Sequence, residues 1–264
     1  MAKEMVLPEI LMSASFANMP ELPYAVDEAI NRLRINMEFM GDEVRKILVV
    51  STLPNEGKSF IAMQLWRKIS ESGKECVLVD GDLRKSVMVT KYELSRDDGK
   101  RMRGMSNLLA GSCKVEDVLF QTNIRNGYIA PNTENAPRPA LLFQNGRMEE
   151  FLNLLASEYP ATLIDIAPLN LVSDGELVGS FCDGAILVVR EGVTPRNMVR
   201  TSIRQLERAG CPLLGIVLNR VENSHAGYYS KRYGKYGYYG KKHYGYGGYG
   251  DQAYYTDSSG ASNS

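Results

Sequence analysis

A Gly57-Lys58-Ser59 triplet follows a short apolar run and precedes a helical pattern. At a strand-to-helix turn, free backbone N–H groups and the positive end of the helix dipole favour phosphate binding. Lys58 can reach the β- and γ-phosphates of a nucleotide, and the Ser59 hydroxyl can ligate Mg²⁺. The full phosphate-loop pattern G-x-x-x-x-G-K-[ST] fails at one place, because Thr52 stands at the first glycine position. The alternative interpretation is an ordinary turn.

Three carboxylates also follow apolar runs. Asp80 ends the run C-V-L-V-D, Asp82 comes two residues later, and Asp165 ends T-L-I-D. Ligands of parallel sheets bind at the carboxyl ends of the strands, and alternation places Asp80 and Asp82 on one side. Acids beside a phosphate require Mg²⁺ between them, and Asp165 occupies the place of a Walker B aspartate. A solvated acidic turn is the alternative, but three such acids with G-K-S favour a nucleotide–magnesium site.

Asn219 closes the last apolar run of the chain, in V-L-N-R. A side-chain amide can pair with the N6 and N7 edge of adenine. The residue can equally be a polar position that ends a strand. The nucleotide-binding residues predicted from this pattern are Pro54, Asn55, Glu56, Gly57, Lys58, Ser59, Phe60 and Asn219.

The elements that must position these residues are short apolar runs alternating with amphipathic stretches. This order predicts an α/β fold of the P-loop type, with a mostly parallel, doubly wound sheet flanked by helices. Helices are predicted over 24–40 and 59–72, and another after Thr194 as N-cap and Pro195 in the first turn. Residues 81–125 are predicted to be polar and irregular, with short helices around Ser106–Leu109 and Val115–Leu119. The predicted strands are 46–51, 76–80, 127–130, 162–165, 185–189 and 213–218.

Composition narrows the class of protein. The 264 residues carry 31 Lys and Arg against 31 Asp and Glu, and this balance argues against a nucleic-acid partner. The apolar runs are too short to cross a bilayer, and no secretory signal is recognisable at the start. Four scattered cysteines exclude a Cys-rich zinc site and fit a reducing compartment, so we expect a cytoplasmic protein.

Tyrosine marks a change along the chain. Eleven of the 15 tyrosines lie between residues 228 and 255, in a stretch rich in Gly and Ser that we call the tail (residues 225–264). Such a composition buries no core and predicts a disordered segment. We therefore expect an N-terminal arm over 1–23, a nucleotide-binding domain over 24–224 and the tail. The tail tyrosines are Tyr228, Tyr229, Tyr233, Tyr236, Tyr238, Tyr239, Tyr244, Tyr246, Tyr249, Tyr254 and Tyr255.

The chain resembles the bacterial protein-tyrosine kinases of capsular and exopolysaccharide biosynthesis. The resemblance rests on S-T-L-P-N-E-G-K-S (51–59), V-L-V-D-G-D-L-R (77–84), L-I-D-I-A-P (163–168), D-G-A-I-L-V-V-R (183–190), L-G-I-V-L-N-R-V (214–221) and the tail. It implies an ATP-dependent kinase with Mg²⁺ held by Ser59, Asp80, Asp82 and Asp165. The implied catalytic residues are Lys58, Asp80, Asp82, Arg84 and Asp165. The tail tyrosines are the implied phosphate acceptors, modified between subunits.

The resemblance also implies partners. Family members form ring-shaped homo-oligomers through a motif E-x-x-R-x-x-R, which Glu28 and Arg34 match here while Asn31 replaces the first arginine. It further implies a separate transmembrane activator of the polysaccharide co-polymerase type, a cognate tyrosine phosphatase, and recruitment to the inner face of the plasma membrane through that activator.

Two further departures bear on activity. Ser86 replaces the proline usual after D-x-D-x-R, and Ile166-Ala167 replaces Thr-Pro. None removes Lys58 or an acid, so catalysis is the favoured interpretation and a weakened paralogue the alternative. A MinD- or ParA-type ATPase switch is a second alternative, although Leu53 stands where that class carries its signature lysine. A non-catalytic adaptor that acts through its Gly/Tyr-rich tail is the third.

Overall fold

One nine-stranded sheet organises the part of the chain that the computed structural model describes, residues 5–9 and 11–221. Its strands are β1 (Met12–Phe16), β2 (Lys46–Ser51), β3 (Cys76–Asp80), β4 (Leu94–Arg96), β5 (Phe120–Thr122), β6 (Gly127–Ala130), β7 (Ala161–Asp165), β8 (Gly184–Arg190) and β9 (Leu213–Asn219). Their spatial order is β4-β1-β5-β6-β3-β7-β2-β8-β9. The strands from β6 to β9 are all parallel, whereas β4 with β1 and β5 with β6 pair antiparallel.

Helices connect the strands on both faces of the sheet. They are α1 (Tyr24–Glu38), α2 (Lys58–Glu71), α3 (Met88–Lys91), α4 (Met105–Leu109), α5 (Pro139–Phe143), α6 (Arg147–Glu158), α7 (Asp174–Gly179) and α8 (Arg196–Arg208), with a 3₁₀ turn at Val115–Asp117. This arrangement confirms the predicted doubly wound α/β fold. The predicted bounds of β2, β3 and β6 are correct. The predicted bounds of β7 and β9 differ from the structure by one residue at one end, and those of β8 by one residue at each end.

Two apolar cores lie on opposite faces of the sheet, because successive strand residues point in opposite directions. Leu48 and Val50 of β2 belong to one core, which α6, α7 and α8 cover. Ile47 and Val49 belong to the other, which is covered by α1 and α2 and contains the fully buried Trp66. Each central strand is therefore buried on both faces, which explains its continuous apolar sequence.

The segment predicted as an N-terminal arm contributes β1, which pairs with β4 and β5. This part of the arm is integral to the sheet. Residues 81–125 were predicted to be irregular apart from short helices around 106–109 and 115–119. They contain α4 and the 3₁₀ turn at those places, and also α3, β4 and β5. Elements of three or four residues are too short to show a periodicity, and β4 pairs with β1, which is distant in sequence.

The predicted N-cap of α8 is wrong by one residue. Pro195 rather than Thr194 is the N-cap residue, and the helix begins at Arg196. The Thr194 hydroxyl instead donates a hydrogen bond to Glu56 in another loop. None of the helices among the described residues is both long and apolar enough to cross a bilayer. The predicted boundary near residue 224 and the whole tail lie outside the described residues.

Candidate nucleotide-binding site

The loop between β2 and α2 has the backbone of a phosphate-binding turn. Asn55 and Gly57 adopt positive φ angles of 62° and 94°. A Cβ atom on Gly57 would lie 2.2 Å from Nδ2 of Asn219, so only glycine fits there. Helix α2 begins at Lys58, which leaves the N–H groups of its first turn without intrahelical partners. The predicted strand-to-helix turn at G-K-S is therefore confirmed, and phosphate binding by this turn stays a prediction.

The Glu56 carboxylate holds this loop in place. Its side chain is buried, with Oε2 accepting the Leu53 N–H at 2.7 Å. Oε1 accepts the Arg190 N–H at 3.4 Å and the Thr194 hydroxyl. The Glu56 backbone oxygen accepts a 2.8 Å hydrogen bond from Nδ2 of Asn219. The phosphate-binding loop is thus tied to the carboxyl ends of β8 and β9.

Lys58 lies among the predicted acids. Its Nζ is 3.1 Å from Oδ2 of Asp82, 3.2 Å from Oδ1 of Asp165 and 3.3 Å from the Ser59 hydroxyl. Burial opposes the charge of the ammonium, but attraction to Asp165 and Asp82 outweighs it and raises the Lys58 pKa. The raised pKa favours the charged form of Lys58 at the N-terminus of α2, where an anionic phosphate is also favoured.

Asp80 is fully buried at the end of β3, in register with Asp165 on β7. Its Oδ2 accepts the Ser86 hydroxyl and, at 3.4 Å, the Asn132 N–H. Its Oδ1 has no hydrogen-bond partner among the described residues. Burial, together with the neighbouring Asp165 charge, raises the Asp80 pKa to about 7. A buried carboxylate oxygen without a partner fits a place that receives a cation.

Asp82 and Asp165 complete the acidic side of the site. Oδ1 of Asp82 accepts the N–H groups of Arg84 and Lys85 at 3.3 and 3.0 Å, which orients Oδ2 toward Lys58. Burial raises the Asp165 pKa, and the Lys58 charge opposes this shift.

The donor set suits magnesium that is bound together with a nucleotide. Among the described residues, no three His, Cys, Asp or Glu side chains form a complete metal cage. Mg²⁺ usually takes only one or two protein carboxylates, with waters and substrate phosphates completing its shell. The unpartnered oxygen of Asp80 and the Ser59 hydroxyl, which lies 3.3 Å from Nζ of Lys58, meet that requirement.

Two predicted site residues direct their side chains elsewhere. Nε and Nη2 of Arg84 donate to both carboxylate oxygens of Asp174, at 2.6 and 2.9 Å, at the start of α7. Phe60 packs against the core that α2 covers, with Nζ of Lys91 5.7 Å from its ring centroid. Phe60 can therefore contribute its backbone to a phosphate site, and Arg84 is held at the rim by Asp174.

The predicted oligomer residues lie on α1. Arg34 donates through Nε to Oδ1 of Asn31 at 3.1 Å and forms an ion pair with Glu38. Asn31 thus restrains Arg34 within its own helix, and Glu28 is half-buried on the same helix.

Sequence reasoning missed several contributors to the site. Glu56 was predicted to bind nucleotide, but the use of its carboxylate to hold the loop was not predicted. One sequence signal could have indicated that use, namely the presence of an acid inside a loop predicted to bind phosphate. Asn132, Thr194 and Asp174 carried none, since each reaches the site from a loop or helix end distant in sequence.

Comparison of sequences shows that the chain is similar to bacterial tyrosine-protein kinases. The tyrosine-protein kinase CpsD of Streptococcus agalactiae is 32% identical over 210 residues, which are 80% of this chain and 89% of that protein. The tyrosine-protein kinase Wzc of Salmonella typhimurium is 29% identical over 211 residues, 79% of this chain but 29% of Wzc. No protein-family model matches the chain.

Solved structures of a tyrosine kinase and of a MinD ATPase share the fold of this chain. The kinase domain of the Escherichia coli tyrosine kinase ETK superposes with a TM-score of 0.67 and 25% identity, covering 80% of each chain. MinD of Pyrococcus horikoshii, in complex with Mg-ADP, superposes with a TM-score of 0.57 and 25% identity, covering 69% of this chain and 72% of MinD.

The fold and the phosphate-binding loop define a P-loop nucleotide-binding protein of the doubly wound class. Within that class, the relationship to CpsD over most of both chains is decisive. The chain belongs to the family of bacterial protein-tyrosine kinases.

Proposed function

We propose that this protein transfers the γ-phosphoryl group of ATP to tyrosines in the tail, between copies of the chain. The observation that carries the proposal is the position of Nζ of Lys58, 3.1 Å from Asp82 and 3.2 Å from Asp165 at the N-terminus of α2. A buried, charged ammonium surrounded by acids at a phosphate-binding turn serves phosphoryl transfer better than any structural role.

Each residue has a chemical task in this proposal. The backbone N–H groups of residues 55–59 bind phosphate oxygens, and Glu56 keeps that loop in shape. Lys58 exchanges its carboxylate partners for phosphate oxygens and stabilises the charge of the γ-phosphoryl group in transfer. Ser59, Asp80, Asp82 and Asp165 would hold Mg²⁺, which supplies charge neutralisation when bound.

The transfer itself is a displacement at phosphorus. The tyrosine oxygen forms a bond to the γ-phosphorus as the bond from the β–γ bridging oxygen breaks, and the phenol proton is released. ADP and a phosphotyrosine are the products. The amide of Asn219, beside the loop at the end of β9, is the proposed contact for the adenine edge.

The biological setting follows from the family. We propose that the chain regulates capsular or exopolysaccharide synthesis or export, as a homo-oligomer in which Glu28 and Arg34 contribute to contacts. Wzc is much longer than the matched region, so its kinase region is one part of a larger chain. We also propose a separate transmembrane activator of the polysaccharide co-polymerase type, which would recruit the kinase to the inner membrane face, with a tyrosine phosphatase reversing the reaction.

The test is phosphotyrosine formation. The full chain is incubated with ATP and Mg²⁺, and phosphosites are mapped by mass spectrometry beside ATP turnover. Phosphate on the tail tyrosines supports the kinase. ATP turnover without phosphotyrosine would instead identify a MinD-like switch, and neither activity would identify an adaptor. Lys58→Met should lose activity by on the order of 10²–10³-fold. Lys68→Met, at the other end of α2, is the matched control and should remain active.

A further inference from the structure

Helix α8 carries an arginine at every fourth position: Arg196, Arg200, Arg204 and Arg208. All four are exposed, and within residues 5–9 and 11–221 none of their side chains forms a hydrogen bond or an ion pair. Residues four apart are neighbours on a helix surface, and like charges at that spacing destabilise the helix. The stability of α8 therefore does not explain this row, which we call the arginine stripe.

The opposite side of α8 accounts for its packing. Leu206 is fully buried, and Val199 and Ile203 pack against the same core. At 1.5 Å per residue, the arginine stripe runs about 18 Å along the outward side of the helix. The only acid of the helix is Glu207, so this surface is strongly cationic.

The described part of the chain ends, at Val221, close to one end of the stripe. Strands β8 and β9 finish in register at Arg190 and Asn219. Helix α8 begins only six residues after Arg190, so Arg196 and Val221 lie at the same end of the domain. The sequence after Val221 contains the eleven tail tyrosines, and a tethered ligand binds at a raised effective concentration.

We infer that the arginine stripe binds phosphotyrosines of the tail. The inference rests on the proposed function, which supplies the phosphate groups. The tail holds five Lys and Arg against two Asp, so it is repelled by the stripe when unmodified. Each phosphotyrosine adds about −1.5 to −2 charges near neutral pH. Modification of three tyrosines therefore converts repulsion into attraction.

The residue type favours this ligand over a membrane. Guanidinium groups bind phosphate through two parallel hydrogen bonds, a geometry that lysine lacks. A membrane surface attracts Lys and Arg about equally, by charge alone. All four positions of the arginine stripe are arginine. Binding there would retain the phosphorylated tail on α8, away from the active site of a neighbouring copy.

Binding can be measured without kinase activity. The full chain, treated with phosphatase and kept free of ATP, is titrated with a synthetic peptide of residues 228–239 carrying phosphotyrosine at 233, 236 and 239. We expect at least tenfold tighter binding than for the unmodified peptide. Arg200→Gln/Arg204→Gln should lose that advantage, and Arg200→Lys/Arg204→Lys should lose most of it. Arg32→Gln/Arg125→Gln, which removes two exposed arginines elsewhere, should keep it.

The outcomes separate the explanations. Equal affinity for both peptides, or equal loss in the control variant, would overturn the inference. Full retention by the Lys variant, with binding to phosphatidylglycerol vesicles but not to phosphatidylcholine vesicles, would assign the stripe to a membrane instead. Because the phosphopeptide is synthetic, these results do not depend on autophosphorylation. Absence of phosphotyrosine after ATP treatment would count against the proposed function alone.

Discussion

Ser86 donates a hydrogen bond to the Asp80 carboxylate, the buried acid at the end of β3. The family pattern that the sequence resembles usually has proline at this position, and proline has no hydroxyl to donate. The hydrogen bond lowers the Asp80 pKa, against the larger effect of burial. The departure from the family pattern therefore supports the ionised form of a predicted magnesium ligand.

Replacing Ser86 by alanine tests this relationship. Without the hydroxyl, we expect the Asp80 pKa to rise further above about 7, because burial and the Asp165 charge then act with less opposition. Carboxyl NMR titration of Asp80 measures the shift directly, and the midpoint of the pH–activity profile should move to higher pH in parallel. Ser157→Ala, on the surface of α6, should leave both unchanged. An Asp80 pKa that stays at the wild-type value would refute the role of Ser86.

The raised pKa of Asp80 makes the folding stability of the protein depend on pH. Its folded-state pKa of about 7 lies above the ordinary value of 3.8. Between about pH 4 and 7 the folded state keeps a proton that the unfolded state has released, so this group makes stability fall as pH rises. Asp80→Asn should remove this decline and make the nucleotide-free protein more stable at pH 8 by about 2–4 kcal/mol.

Chemical denaturation at several pH values, without nucleotide, checks the Asp80 prediction. Asp42→Asn, at an exposed position after α1, provides the control and should keep the wild-type profile. A loss of stability in Asp80→Asn at every pH would show that the carboxylate has a packing role instead.

Lys58 also contributes to folding stability, because it pairs with buried acids. Its ammonium is the shared partner of Asp82 and Asp165, both largely buried. Lys58→Met would leave buried charges unpaired, at a cost of about 3–5 kcal/mol. Lys58→Met/Asp165→Asn should recover part of that stability while remaining inactive. Thermal unfolding beside a phosphotyrosine assay separates the two effects. If the double variant is no more stable than the single one, the pairing energy has been misassigned.

Glu56 couples the phosphate-binding loop to the turn that precedes α8. Thr194→Val removes one hydrogen bond to Glu56 and should weaken nucleotide binding several-fold, whereas Glu56→Ala removes all of its side-chain bonds and should weaken it more. Titration with a fluorescent ATP analogue measures both affinities. Thr201→Val, on the exposed side of α8, is the matched control. Unchanged affinity in both Glu56→Ala and Thr194→Val would show that the coupling has no role in binding.

The elements that were predicted well from the sequence are those whose own residues form a recognisable pattern. The strands around Leu48 and Leu78 are continuous apolar runs, because helices cover both faces of the sheet at those positions. Lys58 and the acids near it were predicted together because each follows a strand, and parallel strands end at one edge. Their convergence on one ammonium is a consequence of the sheet order β3-β7-β2.

The features that escaped prediction depend on distant partners. Residues Leu94–Arg96 form a strand because Ala14 and its neighbours pair with them, and three residues carry no periodicity. The orientation of Arg84 is fixed by Asp174, 90 positions away, and no local pattern specifies that pairing.

The position of β1 bears on how the chain folds during synthesis. Ala14 pairs with Arg96 on one side and with Thr122 on the other, so β1 leaves the ribosome before its partners, which lie about 100 residues downstream. At about 5–20 residues per second, that strand waits roughly 5–20 s before its ladder can form. During this interval its unpaired edge and the apolar Phe16 are available to chaperones. Formation of the β1 ladders is therefore set by translation of the 94–122 region, well after the phosphate-binding loop has emerged.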